Sequence, residues 1–166
     1  MKLCRDNPDI FVMTAENLAP IRNIYKDLGH RFIDTGIAEQ CMIGTAAGLS
    51  LRGRIVICHA LAAFLTIRSY EFIRTDVGIS SCNVNLVGFV PGLLSDGNGP
   101  THQAIEDIAL MKKIPNMDIF APTTLNSLSR LLPSIALSEG PSYIRYPSDK
   151  NTIEIPDSFF TRTISR

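Results

Sequence analysis

The sequence predicts an α/β domain, a three-layer α/β/α sandwich around a mainly parallel sheet of about six strands. Three observations carry that expectation. Short apolar runs alternate with stretches of helical periodicity along the whole chain. Some of those runs, such as Ile10-Phe-Val-Met13 and Arg54-Ile-Val-Ile-Cys58, are continuously or nearly continuously apolar, as strands buried on both faces of a parallel sheet are. Glycines and other turn residues mark the joins. Right-handed crossovers in such a sheet place helices on both faces, and ligands bind outside the carboxyl ends of the strands.

In chain order, a first strand is expected over 10–13, and Pro20 suits the first turn of a helix that runs to about residue 27 and ends at Gly29. A second strand over 31–35 leads into a helix over 38–51, closed by Gly53. The third strand is 54–58, and apolar residues at helical spacing (Phe64, Ile67, Tyr70, Phe72 and Ile73) predict a helix over 62–75. A fourth strand over 83–90 gives way to a loop over 91–100 dense in glycine and proline. The next helix, about 103–113, has Glu106 and Asp107 early and Lys112 and Lys113 late, as the helix dipole favours. A strand over 117–121, a helix over 125–138 ended by Gly140, and a strand over 142–146 complete the pattern. From Pro147 the chain is polar and without periodicity, so the domain is drawn as 1–147 and residues 148–166 as an arm or linker.

The 166 residues suffice for one domain that buries roughly 70% of its unfolded surface. Sixteen basic residues balance sixteen acidic ones, with no basic stripe, which argues against a nucleic-acid or anionic-membrane partner. The four cysteines (Cys4, Cys41, Cys58, Cys82) lack metal-ligand spacing and are expected to be small, reduced core residues. No signal-peptide pattern and no apolar run of membrane-spanning length is present, and the expected location is cytoplasmic.

Two motifs stand out. Gly36-Ile-Ala-Glu-Gln40 puts Glu39 in the first helical turn after a strand, with Gly44, Ala46, Ala47 and Gly48 along the turns that follow. Small residues there admit a backbone or a flat ligand. A carboxylate among apolar neighbours can hold a proton for a buried partner; equally, a glutamate favours the positive end of a helix dipole. Gly99-Pro-Thr-His-Gln103 follows a different strand end, so the two motifs can meet at one sheet edge.

In this order and on these elements, the pair resembles the pyrimidine-binding domain of transketolases and of 1-deoxyxylulose-5-phosphate synthase, over about residues 14–147. Ala109-Leu-Met and Ile114-Pro-Asn-Met117 are similar to transketolases; Ile37-Ala-Glu-Gln40 and Ile144-Arg-Tyr-Pro147 are nearer the synthase. The resemblance implies thiamine diphosphate as cofactor, with Glu39 hydrogen-bonding N1′ of the aminopyrimidine and sharing a proton with it. It implies that Phe64 stacks on that ring, with Leu61 and Ile67 where the family has two further aromatics, and that His102 faces the substrate. Phe64 as an ordinary core side chain and His102 as a loop histidine are the plainer alternatives; His30 and His59 are expected to be structural. Asn98 stands where the family reads a sugar hydroxyl with aspartate. Ser148 replaces an arginine that grips phosphate, and Lys150 offers only a point charge in its place.

The family's diphosphate-binding domain, which would hold Mg2+ or Ca2+, is absent from the sequence. The implied assembly therefore includes a diphosphate-binding partner chain, as a homodimer or heterotetramer, acting on a sugar or 2-oxo acid. The leading reading is an enzyme subunit transferring a ketol or acyl unit to an aldehyde; the alternative is a non-catalytic partner subunit. A flavodoxin-like or receiver domain lacks support, because Thr14-Ala-Glu-Asn17 is neither an acidic cluster nor a phosphate-cradling loop.

Overall fold

Strand β1 (Ile10–Thr14) shows how the domain is layered: Ile10 and Val12 are buried on one face of the sheet and Met13 on the other. The computed structural model describes residues 2–146, so the expected arm, with Ser148 and Lys150, lies outside the described residues. Around β1 it places β2 (Phe32–Asp34), β3 (Ile55–Leu61), β4 (Val84–Phe89), β5 (Asp118–Phe120) and β6 (Ser142–Tyr146). The sheet is six-stranded, in the order β2-β1-β3-β4-β6-β5, with every pairing parallel. One face carries α1 (Lys2–Asp6), α2 (Tyr25–Leu28) and α6 (Leu125–Ala136), which bring Cys4, Leu28 and Ile135 against Ile57, Val87 and Ile144. The other carries α3 (Glu39–Leu51), a helical stretch around α4 (Tyr70–Phe72), and α5 (Asp107–Met111). There Met42, Ile43, Leu65, Ile73 and Met111 cover Val56, Cys58 and Leu86. Among the described residues no helix is long and apolar enough to cross a membrane.

The chain runs from β1 outward to β2 and then returns to place β3 on the other side of β1. The loops after β1 and β3 therefore diverge, and a crevice opens between them at the carboxyl edge. Thr14 Oγ1 donates to the His59 carbonyl at 2.9 Å, tying the two strands together at that point.

Several elements differ from the sequence expectation, each for a local reason. β3 continues through His59 to Leu61, because β1 extends its ladder to His59 on one side and β4 extends it to Leu61 on the other. The expected helix over 62–75 is α-helical only in part: π-helical segments Phe64–Arg68 and Ile73–Gly78 flank α4. The helix expected from 103 starts at Asp107, since Ala104 instead pairs with Gly92 by reciprocal backbone hydrogen bonds of 2.8 and 2.9 Å. The helix expected from Pro20 is reduced to α2 behind a run of turns in which each N–H bonds the carbonyl three residues back. Cys4, Cys58 and Cys82 are buried as expected, whereas Cys41 is exposed on the outer side of α3.

Tyr143 is fully buried under β4, and Gly88 is what admits it: a Cβ at Gly88 would lie 2.5 Å from the tyrosine oxygen. Gly88→Ala is expected to cost about 1–3 kcal/mol in urea unfolding. Gly97→Ala, in open space, should stay within about 0.5 kcal/mol of the parent.

His59 is 3% exposed, neither ring nitrogen has a hydrogen-bond partner among the described residues, and Phe89 and Tyr146 pack beside it at 5.6 and 6.3 Å between ring centroids. Burial pushes its pKa down to about 4, against a weaker opposing pull from the Asn17 backbone. Between about pH 6.5 and 4 the unfolded chain binds a proton that the folded chain refuses, so stability rises with pH in that window. As pH falls, roughly 3 kcal/mol of stability should be lost by pH 4. Unfolding curves across this range should show that decline, and His59→Leu should flatten it.

Candidate functional site

The site is framed where β1 and β2 end. Asp34, the last residue of β2, accepts through Oδ1 from the backbone N–H groups of Gly36 at 2.9 Å and Glu16 at 3.0 Å. Thr35 donates its N–H and its hydroxyl to the Thr14 carbonyl, at 3.0 and 3.2 Å. Glu16 is held with φ +59°, a left-handed conformation that costs a non-glycine residue about 1–2 kcal/mol and persists because these bonds fix the loop. Gly36 takes φ +66° without a Cβ, and the Ala38 N–H bonds its carbonyl at 2.8 Å, so α3 starts immediately and Glu39 falls in its first turn.

Glu39 is 2% exposed, and its Oε2 accepts from Arg68 Nη1 at 2.8 Å. Arg68 comes from the first π turn. Such a turn closes i→i+5, which brings residue i+4 back beside residue i. The Arg68 guanidinium accordingly lies 4.2 Å from the centroid of the Phe64 ring. Gln40, next to Glu39, donates Nε2 to the Arg68 carbonyl at 3.4 Å and clips the turn to α3. On the far side, the His102 ring meets Phe64 edge-on at 4.9 Å, with Thr101 Oγ1 3.0 Å from His102 Nδ1.

These side chains enclose a cleft of about 270 Å³ whose walls include Ala15, Asn17, Glu39, Leu61, Phe64 and His102. Of the residues singled out in the sequence, Glu39, Leu61, Phe64 and His102 thus come together. Ile67 does not join them: it is 44% exposed and off the walls, carried away from Phe64 by the wide turn. Asn98 is off the walls too, donating Nδ2 to Ser95 Oγ at 3.0 Å within its own loop. Glu16, Asn17 and Ile37 also line the cleft, and Arg68 reaches it through Glu39; the sequence assigns none of the four a role there. An aromatic followed four residues later by arginine is the available signal for Arg68, legible only once the turn's width is known. Among the described residues no cluster of His, Cys, Asp and Glu could hold a metal ion.

A second buried carboxylate stands behind the loop that carries His102. Asp107 is fully buried; its Oδ2 accepts from the Tyr143 hydroxyl and from Arg145 Nε, both at 2.8 Å. Burial, followed by the Asp107 charge, holds the Tyr143 hydroxyl well above the usual tyrosine range. Arg145 reaches the base of the loop, where a Cβ at Gly92 would lie 3.3 Å from its Nη2.

Residues 1–152 match the family model of the transketolase pyrimidine-binding domain. A 6-deoxy-6-sulfo-D-fructose transketolase subunit of Clostridium sp. is 36% identical over 125 residues, covering 75% of this chain and 39% of that protein. An apulose-4-phosphate transketolase subunit of Actinobacillus succinogenes is 34% identical over 134 residues, covering 81% of this chain and 43% of that one. A solved split-gene transketolase, described as an inactive β4 tetramer, superposes with a TM-score of 0.82 at 34% identity, over 96% of this chain and 52% of its own. The chain therefore spans about two fifths of the length of the two sequence relatives. Sequence match and superposition agree with the parallel sheet: the chain belongs to the transketolase family, as its pyrimidine-binding domain.

Proposed function

We propose that the chain is the pyrimidine-binding part of a split, transketolase-like enzyme that uses thiamine diphosphate. The enzyme transfers a ketol or acyl unit from a ketose or 2-oxo acid donor to an aldehyde. The observation that carries this reading is the state of Glu39: a buried carboxylate on a cleft wall, with Oε2 taken by Arg68 and no hydrogen-bond partner for Oε1 among the described residues. The surroundings suit an aminopyrimidine ring. Leu61 and Phe64 offer apolar surface, and an acceptor or proton-sharing oxygen stands at one side.

Thiamine diphosphate, when bound, supplies a carbon nucleophile for the donor carbonyl. The chain's own residues bind and orient. Glu39 would hold the ring nitrogen through the oxygen that Arg68 leaves free, and could hold or accept a proton there. Phe64 and Leu61 would exclude water from the ring's apolar faces. His102, with Nδ1 engaged by Thr101, has Nε2 left to hydrogen-bond a substrate hydroxyl or move a proton.

A partner chain is part of the proposal. It supplies the diphosphate-binding domain and the Mg2+ or Ca2+ that the described residues cannot hold. Ile37 on the cleft wall is 73% exposed, and Leu93 and Ile105 near the His102 loop are 64% and 72% exposed, apolar surface suited to a covering subunit. Both sequence relatives bear the names of transketolase subunits. Asn98 bonded back to Ser95 favours a second reading, a subunit that keeps the interface but not substrate recognition. For the substrate, the replacement of the phosphate-gripping arginine by Ser148 supports a donor unphosphorylated at that end, or a phosphate held by another chain.

The test is reconstitution with the diphosphate-binding chain and thiamine diphosphate, with ketose phosphates, free ketoses and pyruvate compared as donors. Glu39→Gln is expected to leave the fold intact and lower turnover by about 10²–10⁴-fold. Near-normal turnover would reassign Glu39 to a helix-end role. A parent complex that binds cofactor but transfers nothing from any donor would select the second reading.

A further inference from the structure

We propose that Arg68 is a positioning residue that decides which oxygen of Glu39, and in which charge state, meets the ligand. The inference rests on the functional reading above and deepens it. Glu39 has one ion-pair partner among the described residues, and it engages Oε2 alone. Oε1 is thereby left toward the cleft. The guanidinium has little freedom to swing away, because its own backbone carbonyl is clipped by Gln40 and its charge rests against Phe64. Arg68 is 38% exposed, so its guanidinium remains hydrated on one side while Glu39 is enclosed.

The other charged or titratable groups facing the cleft are Glu16, from the loop after β1, and His102, from the loop after β4. Asp76 approaches α3 at Gly44, where a Cβ would lie 3.9 Å from its Oδ2. Arg68 is thus the one arginine or lysine on Glu39 among the described residues, and a buried carboxylate depends heavily on such a partner. A ligand nitrogen arriving at Oε1 would meet a carboxylate that already has its counter-charge. Removing the guanidinium would leave that carboxylate enclosed without a counter-charge.

The experiment titrates thiamine diphosphate into the reconstituted complex across pH, followed by near-ultraviolet circular dichroism and fluorescence, with thermal unfolding as a check on the fold. In Arg68→Met the pH midpoint of binding should rise by about 1–3 pH units. Affinity near neutral pH should fall roughly tenfold. Arg68→Lys should bring the midpoint back toward the parent while recovering less of the affinity, since lysine restores charge but not the planar stack. An unchanged midpoint in both variants, with a uniform loss of affinity, would overturn the proposal. Unfolding of both variants would also overturn it, by assigning Arg68 a structural role. If the parent complex binds no thiamine diphosphate, the functional reading fails and this inference with it; if the parent binds and only the midpoint stays fixed, this inference alone fails.

Discussion

Glu39 is a carboxylate at 2% exposure, and the carboxyl edge of the sheet is arranged around giving it a counter-charge. Enclosing an unpaired carboxylate would cost several kcal/mol, so the chain must deliver a cation to within hydrogen-bond distance of α3's first turn. It does so from a segment far along the sequence, through a helix wound wide enough to turn Arg68 over Phe64 and onto Oε2. The same turn fixes the aromatic wall of the cleft. Charge compensation and cleft shape are therefore one structural decision, made at residues 64–68.

Two further constraints hold that edge in register. Asp34 bonds the backbone of the loops after β1 and β2, setting the conformation of Glu16 and the entry to α3 together. Asp107 performs a comparable task behind the His102 loop, where Tyr143 and Arg145 converge on one oxygen under the Gly92–Ala104 bridge. Each is a polar group placed where neighbouring elements must be tied at one point. The apolar faces between them, filled by residues such as Met42, Leu65 and Ile73, supply burial without such directionality.

Much of this is legible in the sequence because it rests on short-range pattern. The continuous apolar runs read as parallel strands, and Gly36 and Gly99 mark the loops that carry Glu39 and His102 to the same edge. What escapes depends on contacts between distant residues. No local pattern distinguishes the π turns from an α-helix, and the family resemblance that names Ile67 at the ring pocket gives no signal for Arg68. Pairing of Ala104 with Gly92 overrides the helical propensity of 103–106. The end of β3 reads as Cys58 from hydropathy, yet β1 carries the ladder to His59 and β4 carries it on to Leu61. The exposure of Cys41 follows from its angular position on α3, away from the buried Met42 and Ile43.

The most direct measurement is a crystal structure of the chain assembled with its diphosphate-binding partner and thiamine diphosphate. The expected result is N1′ of the aminopyrimidine at hydrogen-bond distance, about 2.6–3.0 Å, from Glu39 Oε1, with Arg68 still on Oε2 and Phe64 against the ring. A pyrimidine ring bound elsewhere, or one in this cleft with Glu39 engaged by Arg68 alone, would contradict it.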